Sequence, residues 1–107
     1  MIDATEKNRV TLGTCLATNR IMVDGARVGF MAREEPDDAE DSGWRFTAGD
    51  ESADYMSDPD NSGTHDVEAV CTIDPSIIKH LHLPPGTALG RSAETGEFVE
   101  EPFDSPE

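Results

Sequence analysis

Two stretches decide the fold: "RVGFMARE" (residues 27–34) and "WRFTAG" (residues 44–49). Apolar and polar side chains alternate along both, which is typical of half-buried β-strands. The segment between them, "EEPDDAEDSG" (residues 34–43), is a charged loop with Pro and Gly, so the two strands are expected to pair. In residues 27–34 the alternation places one set on one face and the rest on the other: Val28, Phe30 and Ala32 against Arg27, Gly29, Met31 and Arg33. In residues 44–49 it places Trp44, Phe46 and Ala48 on the face opposite Arg45 and Thr47.

On the N-terminal side of this pair the sequence predicts another strand and a turn. "TCLATN" (residues 14–19) is short and partly β-branched, and it ends at an Asn, as strands often do. Asp24-Gly25 lies between two apolar runs, and because both residues tolerate positive φ the dipeptide predicts a β-hairpin. Residues 1–12 are interpreted as an N-terminal arm or a first strand.

On the C-terminal side we expect two short helices and a last hairpin. "DESADYMSD" (residues 50–58) has an acidic first turn, while "DPSIIKHLHL" (residues 74–83) has an N-cap Asp74 followed by Pro75. "VEAVCTI" is compatible with either strand or helix, and "GTALGRSAETGEFVEE" predicts a hairpin turning at Glu94-Thr95-Gly96. The fold class is therefore α+β: one small domain over residues 13–101, a largely antiparallel sheet with two short helices, and a frayed tail at 102–107.

The charge balance limits the possible partners. The 107 residues carry 23 Asp and Glu against 8 Lys and Arg, a formal charge of −15. Nucleic acid and anionic membranes need basic side chains, so neither is an expected partner. No apolar segment is long enough for a membrane helix, and we expect a soluble cytoplasmic protein. The acidity fits either a salt-rich cytoplasm, which screens self-repulsion, or a basic protein partner; the sequence does not specify the oligomeric state.

The stretch "DPDNSGTHDVEA" (residues 58–69) resembles the opening of a calcium-binding loop. Asp58, Asp60 and Ser62 stand at ligand positions one, three and five, and Asp66 stands at position nine. Position twelve, which needs a bidentate Glu, is Ala69, so the stretch is only a weak metal candidate. A solvated turn is favoured by the same residues, and no metal or cofactor is expected.

Nucleophilic catalysis is not indicated. Cys15 and Cys71 could in principle act with a histidine, but no strand-to-helix nucleophile elbow marks either one. Their separation favours free, buried thiols over a disulfide. His80 and His82 diverge around a helix axis, which disfavours a metal pair and suggests that one of them is a cation at the helix C-terminus. We therefore expect a protein that is not an enzyme.

Arg33 and Arg45 lie on adjacent predicted strands. In so acidic a chain they are expected to anchor carboxylate networks, either within the fold as ordinary cross-strand ion pairs or at an interface. Trp44 and Tyr55 are the large amphipathic aromatic residues. Core packing is the first expectation for Trp44, and an interface anchor is the alternative.

Residues 15–91 resemble the bacterial immunity protein 33-like domain, formerly called domain of unknown function 2185. The matching motifs, in order, are "TN", "VGFMAREEP", "DSGWRFTAGDE", "YMSDPDN", "DPSII" and "GTALGR". The resemblance implies a small cytoplasmic antidote to a toxin. It also implies that Asp50, Glu51, Asp58 and Asp60 share one acidic surface beside Trp44. Ala32 departs from the family pattern, which has an aromatic residue there.

Two functional hypotheses follow. The first is a non-enzymatic acidic protein that binds a basic toxin, with acidic loops at 34–41 and 50–60 replacing a polyanionic substrate. The second is a stand-alone, salt-adapted domain with an unidentified ligand. The candidate partner-binding residues are Arg33, Glu34, Glu35, Asp41, Trp44, Arg45, Asp50, Glu51, Tyr55, Asp58 and Asp60.

Overall fold

The two strands that the sequence predicts to pair lie near the middle of a six-stranded sheet. The computed structural model describes residues 12–101, in strand order β4-β1-β3-β2-β5-β6. β1 and β3 run parallel, and the other neighbours run antiparallel, which confirms the α+β class with a largely antiparallel sheet. The strands are β1 (Thr14–Thr18), β2 (Phe30–Arg33), β3 (Asp41–Thr47), β4 (Ser62–Asp66), β5 (Ala88–Arg91) and β6 (Phe98–Glu100).

The helices of the described residues are short. They are α1 (Asn19–Met22), α2 (Ala53–Ser57), a 3₁₀ helix (Pro59–Asn61), α3 (Val67–Ile73) and a second 3₁₀ helix (Pro75–His80). The two helices predicted from the sequence correspond to α2 and the second 3₁₀ helix, and α3 settles the ambiguous segment as helix. The predicted arm at 1–12 and tail at 102–107 lie almost wholly outside the described residues. No helix within residues 12–101 has the length and apolar character that crossing a bilayer would require.

β2 and β3 pair as predicted, but the predicted alternation of residues 27–34 is not kept, because Val28 and Met31, which it placed on opposite faces, are both buried in the core. Phe30 lies opposite Thr47, and Arg33 lies opposite Trp44. β3 begins at Asp41, three residues earlier than "WRFTAG", because Gly43 extends the strand. Gly43 has φ +88°, and a Cβ there would collide with the carbonyl oxygen of Glu34. A glycine is therefore what allows the strand to continue into the predicted loop.

The predicted hairpin at Asp24-Gly25 is wrong. The segment before it forms α1, and Asp24 pairs with Arg20 at 3.2 Å, four residues earlier. Gly25 has φ +78°, and its N–H donates to the Ile21 carbonyl at 3.1 Å. A left-handed glycine ends a helix as readily as it turns a hairpin, so the dipeptide marks a helix C-terminus here. β1 pairs instead with β3 and β4.

The hydrophobic core lies between the helices and one face of the sheet. Trp44 and Phe46 on β3 are each 1% exposed and stack with ring centroids 6.0 Å apart. The indole N–H of Trp44 donates to the Leu81 carbonyl at 3.2 Å, which satisfies the buried polar atom. The core residues from the helices share this face: Ile21, Val67, Val70 and Ile77.

A buried ion pair ties the second 3₁₀ helix to the sheet. The Asp74 carboxylate accepts from the Arg91 guanidinium at 2.7 Å, and their side chains are 6% and 13% exposed. Asp74 also accepts from the backbone N–H of Val28 and of Ser76, which confirms it as the cap of the helix that Pro75 starts. Burial works to raise the Asp74 pKa, but these hydrogen bonds outweigh it and hold the pKa below its ordinary value.

Candidate partner-binding surface

The face of the sheet opposite the helices, here called the open face, is built from the alternate residues of each strand. One row across it follows the strand register from Thr64 through Leu16, Arg45 and Ala32 to Ala88. The next row includes Thr47, Phe30, Gly90 and Val99. Leu16 and Val99 on this face are 41% and 50% exposed, whereas Ala32 and Ala88 between them are 9% and 2% exposed. The open face is therefore a candidate binding surface with an apolar component.

An acidic loop (residues 34–41) borders one end of the open face. It carries six carboxylates in eight residues, and all its residues from Glu35 to Glu40 are exposed. A cavity of about 180 Å³ lies where the loop meets the sheet. The lining of the cavity combines aspartates of the loop, open-face residues and the core residue Cys15: Thr14, Cys15, Leu16, Asp37, Asp38, Asp41, Arg45 and Thr64.

Arg45 holds the acidic loop against the open face. Its guanidinium pairs with Asp41 at 3.2 Å and with Glu34 at 3.4 Å, so it anchors a carboxylate network as the sequence predicted. The hydrogen bond from Arg45 is the main reason why the pKa of Asp41 falls to about 2, and N–H groups of the loop add to it. Asp41 therefore remains ionised and fixed in place at neutral pH.

Arg33 does not have the predicted role. Its guanidinium donates to two backbone carbonyls, those of Ser42 at 2.8 Å and Leu83 at 2.7 Å. It also lies over the Trp44 ring, 5.7 Å from the centroid. Arg33 thus joins β3 to the segment after the second 3₁₀ helix, on the core side of the sheet, and no ion pair to a carboxylate is found for it within residues 12–101.

The second acidic segment (residues 50–60) lies beyond the other end of β3. Six residues of β3, 42 to 47, separate the two segments, a length of about 20 Å. Asp50 pairs with Arg20 at 2.6 Å, and Glu51 accepts from the Thr18 hydroxyl at 2.6 Å. Burial works to raise the Glu51 pKa, but the Thr18 and backbone hydrogen bonds outweigh it and lower the pKa. One partner could contact both segments only by lying along the strands.

The remaining candidates of this segment cluster near α1. Asp58 accepts from the N–H of Asp60, whose carbonyl accepts from the Asn19 side chain at 3.0 Å. Tyr55 is half-buried, and its carbonyl accepts from the Asn61 side chain. Asp50, Glu51, Asp58 and Asp60 are thus brought together around the end of β1. They are not beside Trp44, which lies under the sheet and is too buried to be an exposed anchor.

The calcium-like stretch does not wrap around a central point. Ser62–Asp66 is an extended edge strand that pairs with β1, so Ser62 and Asp66 lie at its opposite ends. Asp58 is engaged as the cap of the first 3₁₀ helix. Within residues 12–101, no cluster of three or more His, Cys, Asp or Glu side chains is arranged to hold a metal ion. The weak metal candidate Asp58, Asp60, Ser62 and Asp66 is therefore not assembled.

The thiols and imidazoles are poorly suited to catalysis. Both cysteines are free, and burial raises the pKa of Cys15 to about 12 despite the nearby Arg45. Burial lowers the pKa of His80, and the neighbouring positive charges of Lys79 and His82 lower it further. His80 is therefore not the histidine that acts as a cation at the helix C-terminus, and it packs edge-on against Phe98.

Sequence reasoning missed the open-face residues of β1 and β6. Leu16 and Val99 were each part of a predicted strand, but no face was assigned to them. The useful signal is that Leu16 lies between Cys15 and Ala17, which must point the other way. It becomes informative only when the neighbouring strands show which face the helices cover.

A comparison with protein families identifies the chain. The family model described as Immunity protein Imm33 domain matches residues 15–101. Comparison with curated proteins and with solved structures gives no significant match. The family match covers most of the chain and agrees with the resemblance seen in the sequence motifs. The chain therefore belongs to the Immunity protein Imm33 domain family.

Proposed function

We propose that this member of the immunity family is a non-enzymatic cytoplasmic antidote that binds a basic toxin protein and covers the toxin's functional groove. The observation that carries the proposal is the acidic loop, which Arg45 fixes at the end of the open face. In this role the loop carboxylates take the place of a polyanionic substrate.

The electrostatics support such a partner. The acidic loop contributes six carboxylates, whereas Arg45 compensates only part of that charge. Hydrogen bonds within the loop orient its carboxylates: Asp38 accepts from the N–H groups of Glu40 and Asp41. A preorganised charged surface steers an oppositely charged protein and loses less entropy on binding. The charge of −15 for the whole chain adds long-range attraction to the same partner.

The chemistry of the described residues favours binding over catalysis. A thiol with a pKa of about 12 supplies almost no thiolate at neutral pH, so Cys15 is a poor nucleophile although it borders the cavity. Arg45 and Asp41 neutralise one another, which suits a fixed docking element better than a proton-transfer pair.

Binding kinetics provide the test. We expect the association rate constant with the cognate toxin to fall by at least about tenfold between 50 and 500 mM salt. The variant Glu35→Gln/Asp37→Asn/Asp38→Asn removes three exposed charges from the loop and should slow association by about tenfold more. A matched triple variant at the far hairpin and on α3, Glu94→Gln/Glu97→Gln/Glu68→Gln, should slow it much less. A rate that is flat across salt would contradict electrostatic substrate mimicry.

A salt-adapted stand-alone domain is the second candidate, and the distribution of charge favours it. Exposed acidic residues also lie far from the acidic loop, for example Glu68 on α3 and Glu94 in the β5–β6 turn. If the protein is a salt-adapted stand-alone domain, its fold should require molar salt and it should have no stable protein partner. Cooperative thermal unfolding in dilute buffer, measured by circular dichroism, would count against it.

A further inference from the structure

We propose that the outer edge of β4 is a docking site, and that its occupant is an extended, cationic segment of the toxin, which pairs with β4 as an additional strand of the sheet. The inference rests on the proposed function and specifies which part of the chain the partner contacts. β4 (Ser62–Asp66) stands at one end of the strand order, so within residues 12–101 it pairs with β1 alone.

The hydrogen bonds between β1 and β4 show which backbone groups of β4 face outward. The N–H of Val67 donates to the Gly13 carbonyl at 2.9 Å, which continues the antiparallel register by one position. Opposite residues in an antiparallel pair are alternately bonded and not bonded to each other, so Gly63 and His65 bond to β1 and Thr64 does not. The N–H and C=O of Thr64 therefore point away from the sheet, and the residue is exposed.

The two edges of the sheet differ in how they are protected against a new strand. β6 is three residues long, and it carries Glu100 and is followed by Glu101. Short length and charge are common ways in which proteins block pairing at an edge. β4 is five residues long and has neither Pro nor Lys, and its carboxylate, Asp66, stands at the end of the strand. β4 is therefore the edge that is better suited to accept another strand.

Negative charge around β4 determines the chemistry of the occupant. Residues 58–68 contain four exposed carboxylates and no Lys or Arg. Thr64 also lines the cavity together with Asp37 and Asp38 of the acidic loop. Opposite side chains on neighbouring strands have their Cβ atoms about 5 Å apart, so a Lys or Arg opposite Thr64 can reach these aspartates. An extended segment with basic side chains toward the open face complements this arrangement.

A second copy of the chain is a poorer occupant of the same edge. Two chains that each carry a formal charge of −15 repel one another, and pairing of their β4 strands would bring the carboxylates of residues 58–68 together. The same charge attracts a basic protein. Charge therefore selects the toxin segment over a homodimer.

Hydrogen exchange of the full chain tests the edge with a defined probe, a blocked ten-residue peptide of alternating Lys and Val. At saturating peptide, the Thr64 amide should exchange at least about tenfold more slowly, measured by ¹H–¹⁵N NMR. The Glu100 amide provides the matched control on the other edge. It also faces outward, since Glu101 donates to the Ala88 carbonyl, and its exchange should change less than about twofold.

A second probe separates strand pairing from simple charge attraction. The same peptide, N-methylated at its Val residues, keeps its charge and side chains but lacks those backbone donors. It should protect the Thr64 amide much less than the unmodified peptide does, because backbone hydrogen bonds supply the affinity when a strand is added to a sheet.

Substitutions at Thr64 connect the edge to toxin binding. Thr64→Pro removes the outward N–H without breaking a bond to β1, which is why edge strands tolerate Pro. It should raise the Kd at least about tenfold, measured by surface plasmon resonance with the toxin that the unaltered chain neutralises. Thr64→Val keeps the N–H, and Glu100→Pro alters the other edge, so both should leave the Kd within about twofold.

The possible failures have different meanings. Equal Kd values for Thr64→Pro and Thr64→Val, or equal protection by the two peptides, would overturn the docking edge and leave the antidote role intact. If Thr64→Pro does not fold, exchange in the unaltered chain bound to the toxin decides, and an unprotected Thr64 amide overturns the proposal. Protection that rises with protein concentration alone would assign the edge to a second copy. Failure of the unaltered chain to neutralise any toxin would overturn the antidote role itself, and the docking proposal with it.

Discussion

The helix-covered face and the open face of the sheet use the same strands for opposite purposes. On β3, Trp44 and Phe46 point into the core and are each 1% exposed, while Arg45 between them reaches the cavity and binds two carboxylates. On β1, Cys15 and Ala17 are buried, and Leu16 between them is 41% exposed. The helix-covered face packs the core, whereas the open face carries the exposed Leu16 and the ion pairs of Arg45.

The comparison also separates two kinds of ion pair. Asp74–Arg91 and Arg20–Asp50 have nearly the same length, 2.7 and 2.6 Å. The first is almost fully buried and shares its atoms with the backbone of Val28, whereas the second is 35% and 58% exposed. The donor–acceptor distance therefore says little about how much each ion pair contributes to the free energy of unfolding. Burial and the additional hydrogen bonds determine that contribution.

The largest effect should come from the core. Trp44→Ala removes a fully buried indole and should lower the free energy of unfolding by about 3–5 kcal/mol, measured by urea denaturation. Leu16→Ala on the open face should cost less than about 1 kcal/mol, because less apolar area leaves contact with the protein. Similar losses for the two variants would mean that the open face is covered by a part of the structure.

The buried ion pair should give the next largest effect. Asp74→Asn leaves the Arg91 guanidinium without its carboxylate and should lower the free energy of unfolding by about 3 kcal/mol. Asp50→Asn, at the exposed pair, should leave the urea midpoint unchanged. If the two variants behave alike, the difference in burial does not control the strength of these pairs.

A smaller effect tests how Arg45 fixes the acidic loop. Arg45→Gln should raise the pKa of Asp41 from about 2 toward its ordinary value of 3.8, measured by carboxyl ¹³C NMR. Because the folded pKa is depressed, the stability contributed by Asp41 is complete above pH 3.8 and is lost as pH falls toward 2. The variant should therefore lose this contribution and unfold at a higher pH in acid titration.

The matched control for that titration is Glu35→Gln, which removes an exposed charge from the same loop and leaves Arg45 in place. The pKa of Asp41 should then change little. A large change in Glu35→Gln, or none in Arg45→Gln, would show that the general field of the loop, rather than one ion pair, controls Asp41.

Local patterns predicted a large part of the fold. The β2–β3 pair, the β5–β6 hairpin and the Asp74-Pro75 helix start were each specified by neighbouring residues. β4 was missed because "SGTHD" has no apolar alternation, and it becomes a strand only by pairing with β1. The parallel pairing of β1 with β3 was also invisible, since no local pattern encodes a contact between distant segments.

The candidate site was predicted less well than the fold. The sequence shows that the acidic segments exist, but their arrangement at opposite ends of β3 depends on the sheet topology. The ion pairs of Arg45 could be predicted because its strand lies beside many carboxylates. The contacts of Arg33 could not be predicted, because a sequence pattern does not show which backbone carbonyls a side chain will reach. The alternation of β3 correctly indicated that Trp44 packs in the core. Because Trp44 is buried and Leu16 is 41% exposed, Leu16 is the better candidate for an apolar contact with a partner.

The position of β1 also governs the kinetics of folding. It is the earliest strand of the described chain, yet both of its neighbours, β3 and β4, are synthesised tens of residues later. The chain loses the entropy of closing these long loops before the strand pairs can stabilise the fold, so the central sheet forms late. We therefore expect folding in milliseconds to seconds rather than microseconds. A newly made chain therefore completes the pairing of β1 only after β4, which ends at Asp66, has left the ribosome.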